Sequence, residues 1–221
     1  QEDLNFEYLK NVYSTIILKD VVKREGIRNV DFLETLAIYT ADNVGNLFSA
    51  NNISRYLKSQ RINISPIQVI NYLKALQNAF LIHKVRRIDV NGLKAFKIGD
   101  KYYFEDLGLR NCHFGFTMQK DIHKLMENAI FLHLVNKHYE VYTGQQTANR
   151  EIDFVARKGD EVVYVQSAYM MNDEATKQRE FGNLMAIHNN YPKFVVSLDE
   201  WTSGSCVDGI MHLHLGEFLM Q

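Results

Sequence analysis

Two stretches of this chain carry residues arranged as chemistry would arrange them. Arg150-Glu151-Ile152-Asp153-Phe154-Val155 and Val162-Val163-Tyr164-Val165-Gln166-Ser167-Ala168 read as adjacent β-strands. Asp153 stands on one, and Gln166 and Ala168 stand two residues apart on the other, so that pair shares a face. Metal-dependent phosphodiester hydrolysis would use these three places for Asp, Glu and Lys. The carboxylates would hold a hard divalent cation, and the lysine would orient water and meet the developing charge. Here Gln166 offers only a neutral carbonyl oxygen and Ala168 offers nothing. Glu127, in Met126-Glu127-Asn128-Ala129, lies off the apolar stripe of its helix and is placed to complete a two-carboxylate Mg2+ site with Asp153. Lys177 and Arg179 on the next helix are substitutes for the missing cation. The plainer reading makes Glu127 a helix-end carboxylate and Asp153 a strand-end partner for Arg150.

A further region is basic. Residues 1–52 hold 5 Lys/Arg and 8 Asp/Glu, residues 53–103 hold 10 and 2, and residues 104–221 hold 10 and 16. A block of net charge +8 between two acidic ones points to a domain boundary and a polyanion-binding surface. Within it, Gln68, Asn71, Lys74 and Gln77 fall on the outer side of a helix over 66–80. Arg55, Lys58 and Arg61 lie on or after the preceding helix. Lys84, Arg86, Arg87, Lys94 and Lys97 lie on a hairpin that follows. Helices of this kind read bases from the major groove while Lys and Arg neutralise phosphates. The same arrangement also serves as a protein-interaction module with a solvated basic face.

The elements that must position these groups follow from periodicity. Residues 4–24 read as a helix, with Leu9, Val12, Tyr13, Ile16, Ile17 and Val21 on one side, and a second helix covers 30–40 with Asp31 as its cap. Ser49-Ala50-Asn51-Asn52 caps a helix carrying Ile53, Tyr56 and Leu57. Ser65-Pro66 opens the longer helix, whose apolar positions are Val69, Ile70, Leu73, Leu76, Phe80 and Leu81. His83–Val90 and Ala95–Phe104 alternate around Asn91-Gly92, a hairpin-turn signal. Helix, turn, helix and hairpin is the order of a winged helix. Further on, a helix over 121–137 precedes strands at 140–143, 151–156 and 162–168. A helix over 173–188, strands at 194–198 and 211–215 and a final helix from Gly216 complete the order. It predicts a mixed sheet with helices on its faces.

Composition bounds the rest. The chain has 221 residues, 46% of them hydrophobic and 23% charged, as in globular proteins. No apolar run approaches the roughly 18–20 residues that span a bilayer. Cys112 and Cys206 have no metal-site spacing and read as reduced thiols of a cytoplasmic protein. Gln1 in place of Met points to a piece of a longer chain. His212 and His214 share a strand face without a third ligand, and the plain reading makes both structural. No GxxxxGK[ST] loop occurs, so this chain by itself is no P-loop ATPase, and no Ser-centred elbow supports acyl transfer.

Several wordings together resemble a family. They are Asn52-Ile53-Ser54-Arg55-Tyr56-Leu57-Lys58, Lys101-Tyr102-Tyr103-Phe104-Glu105-Asp106-Leu107-Gly108-Leu109-Arg110-Asn111, Leu125-Met126-Glu127-Asn128, Glu151-Ile152-Asp153-Phe154-Val155, Val165-Gln166-Ser167-Ala168-Tyr169, Arg179-Glu180-Phe181 and Asn190-Tyr191-Pro192-Lys193. Over residues 5–221 the chain is similar to the C-terminal region of prokaryotic AAA-type ATPases. The resemblance implies an α+β architecture: a helical segment over 1–45, a winged helix over 46–106, and a PD-(D/E)XK nuclease-like domain over 107–221 with a mixed sheet flanked by helices. It implies an ATPase module elsewhere in the parent chain, where ATP would bind. It places Glu127, Asp153, Gln166 and Ala168 on the nuclease-like site, the last two departing from the active pattern. The expectation is a non-catalytic module that contacts DNA or a partner protein, with a homodimer as one assembly. The alternatives are a slow metal-dependent nuclease and a pure interaction scaffold.

Overall fold

The computed structural model describes residues 2–94, 96, 99–147, 150–171, 174–199 and 203–221. They divide into two compact units, Gln1–Lys84 with Gly99–Lys120, and Val85–Ile98 with Asp121–Gln221.

In the first unit, α1 (Glu2–Thr15) runs into a π-helical segment, Ile16–Lys23. Tyr13, Ile17 and Val21 are buried at every fourth position, a spacing that the wider π turn keeps on one side. Asn29, not Asp31, caps α2 (Val30–Asp42). Asn29 has an extended backbone and accepts a hydrogen bond from the Phe32 amide at 3.0 Å, while Asp31 sits in the first turn, where its charge favours the helix dipole. Ser49 caps α3 (Ala50–Ser59). Ser65 and Gln68 form a reciprocal capping box on α4 (Pro66–Asn78), with proline in the first turn.

Helices α3 and α4 stop in the same way. Arg61 N–H bonds the Lys58 carbonyl and Ile62 N–H the Leu57 carbonyl; Phe80 N–H bonds the Gln77 carbonyl and Leu81 N–H the Leu76 carbonyl. This is the Schellman pattern, with Arg61 (φ 64°) and Phe80 (φ 54°) in the left-handed position that glycine usually takes.

The chain then forms β1 (Ile82–Val85) and β2 (Arg87–Asp89), and returns through β3 (Lys101–Phe104), which pairs with β1. Helix α5 (Leu107–Phe114), which periodicity did not reveal, follows. It explains the Asp106–Asn111 wording in structural terms. Asp106 caps α5 through the Leu109 amide at 2.6 Å. A Cβ at Gly108 would stand 3.3 Å from Leu9 of α1. The fully buried Arg110 donates to the carbonyls of Gly115 and Ala41, each at 3.0 Å, and so satisfies an orphan carbonyl near the end of α2.

The second unit is built on a seven-stranded mixed sheet in the order β2-β4-β5-β6-β7-β9-β8. Its remaining elements are α6 (Met118–Asn136, which begins in the first unit's sequence), β4 (Glu140–Thr147), β5 (Arg150–Lys158), β6 (Glu161–Ser167), α7 (Glu174–Met185), β7 (Lys193–Ser197), β8 (Cys206–Val207), β9 (Ile210–His214) and α8 (Leu215–Leu219). Strands β4, β5 and β6 form an antiparallel meander; β7 lies parallel to β6 and β9 parallel to β7. The expected mixed sheet with helices on its faces is what the chain forms. Val162 and Tyr164 pack with Phe181 and Leu184 of α7. Val163, pointing the other way, lines a space with His133 and Leu134 of α6 and Phe218 of α8.

The domain limits expected at residues 45 and 106 are not the limits of the compact units. The Asn91-Gly92 turn forms, held by the Asp89 carboxylate, which accepts from both amides at 3.2 Å. Backbone bonds from Asp89 to Lys94 and from Phe96 to Arg87 make the tip a hairpin. That tip belongs to the second unit. Strand β2 runs parallel to β4, with Ile88 opposite Gly144, and Ile88 and Val90 enter the second unit's core. Gly144 permits this approach, because a Cβ there would lie 2.7 Å from both Val90 and Val155 side chains. Of the expected second hairpin strand, Ala95, Lys97 and Ile98 lie outside the described residues.

Candidate functional site

The basic residues singled out in the sequence fall into two sets. Arg55, Lys58, Arg61, Gln68, Asn71 and Lys74 belong to the first unit; Arg86, Arg87 and Lys94 belong to the second. In the first set, Arg55, Lys58, Arg61, Asn71 and Lys74 are exposed, and the four cations make no ion pair with a described residue. Arg55 bonds Asn52 next to it on α3. Gln68 is turned back, its Oε1 accepting from the Ser65 amide and hydroxyl, and the Gln77 amide donates to the Leu73 carbonyl. These two side chains are therefore engaged locally, whereas Asn71 and Lys74 are exposed. From Asn43 to Ile88 the sequence holds no Asp or Glu at all. The surface of α3, the turn and α4 therefore carries cations and amides but no carboxylate of its own.

The same face shows apolar groups. Ile70, expected in the core, is 55% exposed, Ile67 is 70% exposed and Phe80 is 74% exposed. The core side of α4 is Val69, Leu73 and Leu76, one turn apart, with Ala75 beside them, which leaves Ile67, Ile70, Asn71 and Lys74 as the outward stripe. In the second set, Arg87 stacks on the Phe96 ring at 4.9 Å, and Arg86 is exposed, its backbone carbonyl accepting from the Thr143 amide. Lys84, in the first unit, is paired with Asp100 at 2.7 Å. Lys97 lies outside the described residues.

The carboxylate site is tied inward. Two hydrogen bonds set Asp153 beside Gln166 and Ser167. Asp153 Oδ2 accepts from the Ser167 amide at 2.9 Å, and Gln166 Oε1 accepts from the Asp153 amide at 3.3 Å. Gln166 and Ala168 are buried. Side-chain alternation turns both toward the α7 face, where Ala168 joins the core with Phe181. Glu127 is half-buried on α6, the helix that borders the opposite face. Arg179 is engaged by its neighbour Glu180 at 2.6 Å, and Lys177 lines a groove with Val207 of the edge strand β8, three strands beyond β6.

A hard divalent cation needs several convergent oxygens. Here one oxygen of Asp153 and the single oxygen of Gln166 already face backbone N–H groups. Among the described residues no three His, Cys, Asp or Glu side chains are grouped to hold a metal. The residues present do not fit Mg2+.

The two histidines of β9 differ in setting: His212 is fully buried and His214 is half-buried. His212 is fully buried with Ser197, whose hydroxyl lies 2.8 Å from its Nε2, and that hydroxyl also accepts from the Asp199 amide at 2.9 Å. A serine–histidine contact with no solvent access is a strut, not a nucleophile. His214 caps α8 by accepting from the Gly216 amide at 3.1 Å. Sequence reading missed the buried polar groups Arg110, Glu180 and Ser197, and nothing in their local spacing signals burial.

A two-unit α+β chain with an acid-free helical face is thus the class that fold and site define. Residues 1–120 match the model of a family described as a domain of unknown function, DUF8612, and the chain belongs to that family. The match ends at Lys120, where the second unit's main segment begins. The chain is similar to an uncharacterized protein of Haemophilus influenzae, 33% identical over 220 residues that make up 100% of this chain and 54% of that protein. It is also similar to the uncharacterized protein MJ1544 of Methanocaldococcus jannaschii, 28% identical over 182 residues, 81% of this chain and 40% of that protein. The chain spans about half the length of the curated relatives it matches. No solved structure matches it. Among the described residues no helix is long and apolar enough to cross a membrane.

Proposed function

We propose that the chain is a nucleic-acid-contacting module in which α3 and α4 form the contact surface, with Arg55, Lys58 and Lys74 meeting phosphates and Asn71 reaching base edges. The observation that carries this reading is the stretch from Asn43 to Ile88 without a carboxylate, whose α3 and α4 cations stand exposed and unpaired among the described residues. A stretch that supplies cations and no acidic residue of its own favours a polyanion. The helix, turn, helix and hairpin order supports a winged-helix arrangement, with its hairpin tip embedded in a sheet.

The α6-β4-β5-β6-α7-β7 order supports a PD-(D/E)XK nuclease-like frame whose site is non-catalytic, since Gln166 and Ala168 lack the charge and the Asp153 carboxylate serves the backbone. We place the chain in the C-terminal region of an AAA-type ATP-binding protein, with ATP turnover in the parent's other part controlling contact. Incubation of the chain with plasmid DNA and Mg2+ or Mn2+ tests the nuclease alternative. Retarded but intact plasmid agrees with the module, whereas cleavage lost in Asp153→Ala overturns it.

A second reading has its own observation. Ile67 and Ile70, both more than half exposed on the same stripe as Asn71 and Lys74, suit a protein partner. Loss of binding to nucleic acid in no variant, with capture of a defined partner abolished by Ile67→Ser and Ile70→Ser, would favour it.

A further inference from the structure

Beside α4 lies a polar groove of about 490 Å³ whose far wall comes from the turn that ends the π-helical segment. Glu25, Gly26, Ile27 and Arg28 form that wall; Gln68, Asn71, Lys74 and Asn78 form the α4 side, over a floor of Tyr72 and Ala75. All belong to the first unit. The wall is fixed in place. The Ile27 amide bonds the Val22 carbonyl at 3.0 Å, the Tyr72 hydroxyl accepts from the Asn29 amide at 3.4 Å, and Asn78 donates to the Glu25 carboxylate at 3.1 Å. Gly26 takes the left-handed conformation (φ 67°) that turns the chain there. Lys23, Arg24 and Arg28 are exposed, and none of them pairs with a described residue.

We infer that Arg28 is a phosphate-contacting residue of the same nucleic-acid surface, and that the groove seats the sugar–phosphate backbone of a strand alongside α4. This rests on the proposed reading of α4. Arg28 and Lys74 stand on opposite walls of one groove, and the groove's sole carboxylate, Glu25, is engaged by Asn78. A guanidinium binds two phosphate oxygens at once, and Lys74 adds a point charge across from it. Asn71 then sits between two phosphate anchors, which fix the register of the helix against base edges. Charge counting along the sequence hides this, because Arg28 lies in the acidic N-terminal block and joins α4 only in the fold.

The test is fluorescence anisotropy of a labelled DNA duplex with the full chain, across a salt series, for wild type, Arg28→Ala, Lys74→Ala and Lys19→Ala. Lys19 is an exposed cation of the π-helical segment that does not line the groove. Arg28→Ala is expected to weaken binding about five-fold and to lower the salt slope by about 1, as Lys74→Ala does, with an unchanged melting temperature. Lys19→Ala should bind like wild type. If Arg28→Ala matches Lys19→Ala while Lys74→Ala loses affinity, this inference is wrong and the α4 reading stands. If wild type shows no affinity at low salt, both fall and the groove is left to a protein segment.

Discussion

The α3–α4 face and the Asp153–Gln166 pair were both marked by their residue types, yet the fold treats them in opposite ways. On the first, Arg55, Lys58, Arg61 and Lys74 are exposed and make no ion pair with a described residue. On the second, the side chains turn inward and satisfy the backbone of neighbouring strands. A buried acceptor with a backbone N–H in reach is worth more to stability than to a ligand, because leaving that N–H unmet costs about 1–3 kcal/mol. The contrast separates groups engaged within the fold from exposed ones, and the proposed contact surface rests on the second kind.

Substitutions should divide along the same line. Gly144→Val should cost most, about 2–3 kcal/mol, because the added carbons meet Val90 and Val155 at 2.7 Å; a chemical melt shows it as a lowered midpoint. An unchanged midpoint would mean that the hairpin tip does not pack on β4. Asp153→Ala should cost about 1–2 kcal/mol through the Ser167 amide it leaves unmet, with DNA affinity unchanged. Lys74→Ala should do the reverse and leave the midpoint within about 0.5 kcal/mol. Phe80→Gly should stabilise by about 1 kcal/mol, since Phe80 holds a left-handed conformation at the α4 end with its ring exposed. Arg61→Gly should do likewise at the end of α3 while weakening DNA binding, and a pair of melting curves with a binding isotherm checks both.

The smallest effect concerns pH. Burial holds the His133 imidazole below its ordinary value of 6.5, with the Lys137 charge adding to it. The unfolded chain then takes up a proton more readily than the folded one. Stability is complete above about 6.5 and declines as pH falls toward the lowered folded value. His133→Gln should flatten the fall in melting temperature between about pH 7.5 and 5.5.

Much of this was legible where the signal is local. Ser65, Pro66 and Gln68 specify the start of α4 within four residues, and Asn91-Gly92 specifies its turn. The order of strands and helices from α6 onward also followed from periodicity. What failed depends on distant partners. The pairing of β2 with β4 joins Ile88 to Gly144, and no local pattern at residue 88 names that neighbour. Ile70 fits an apolar repeat, yet only the packing of Val69 and Leu73 decides which side turns inward. Strand β8 has two residues and α5 contains a glycine, so neither offers enough repeat to be seen. At the Asp153 site the types of residue were readable, but not the Ser167 and Asp153 amides that take up their oxygens.

Salt-dependent duplex binding by wild type and by the Arg55→Ala/Lys58→Ala/Lys74→Ala variant tests the central claim most directly, with melting curves taken alongside. The account predicts that the variant keeps its melting temperature, loses about 100-fold in affinity at low salt, and shows a log–log salt slope shallower by about 3. Equal affinity and equal slope for the two proteins would contradict it.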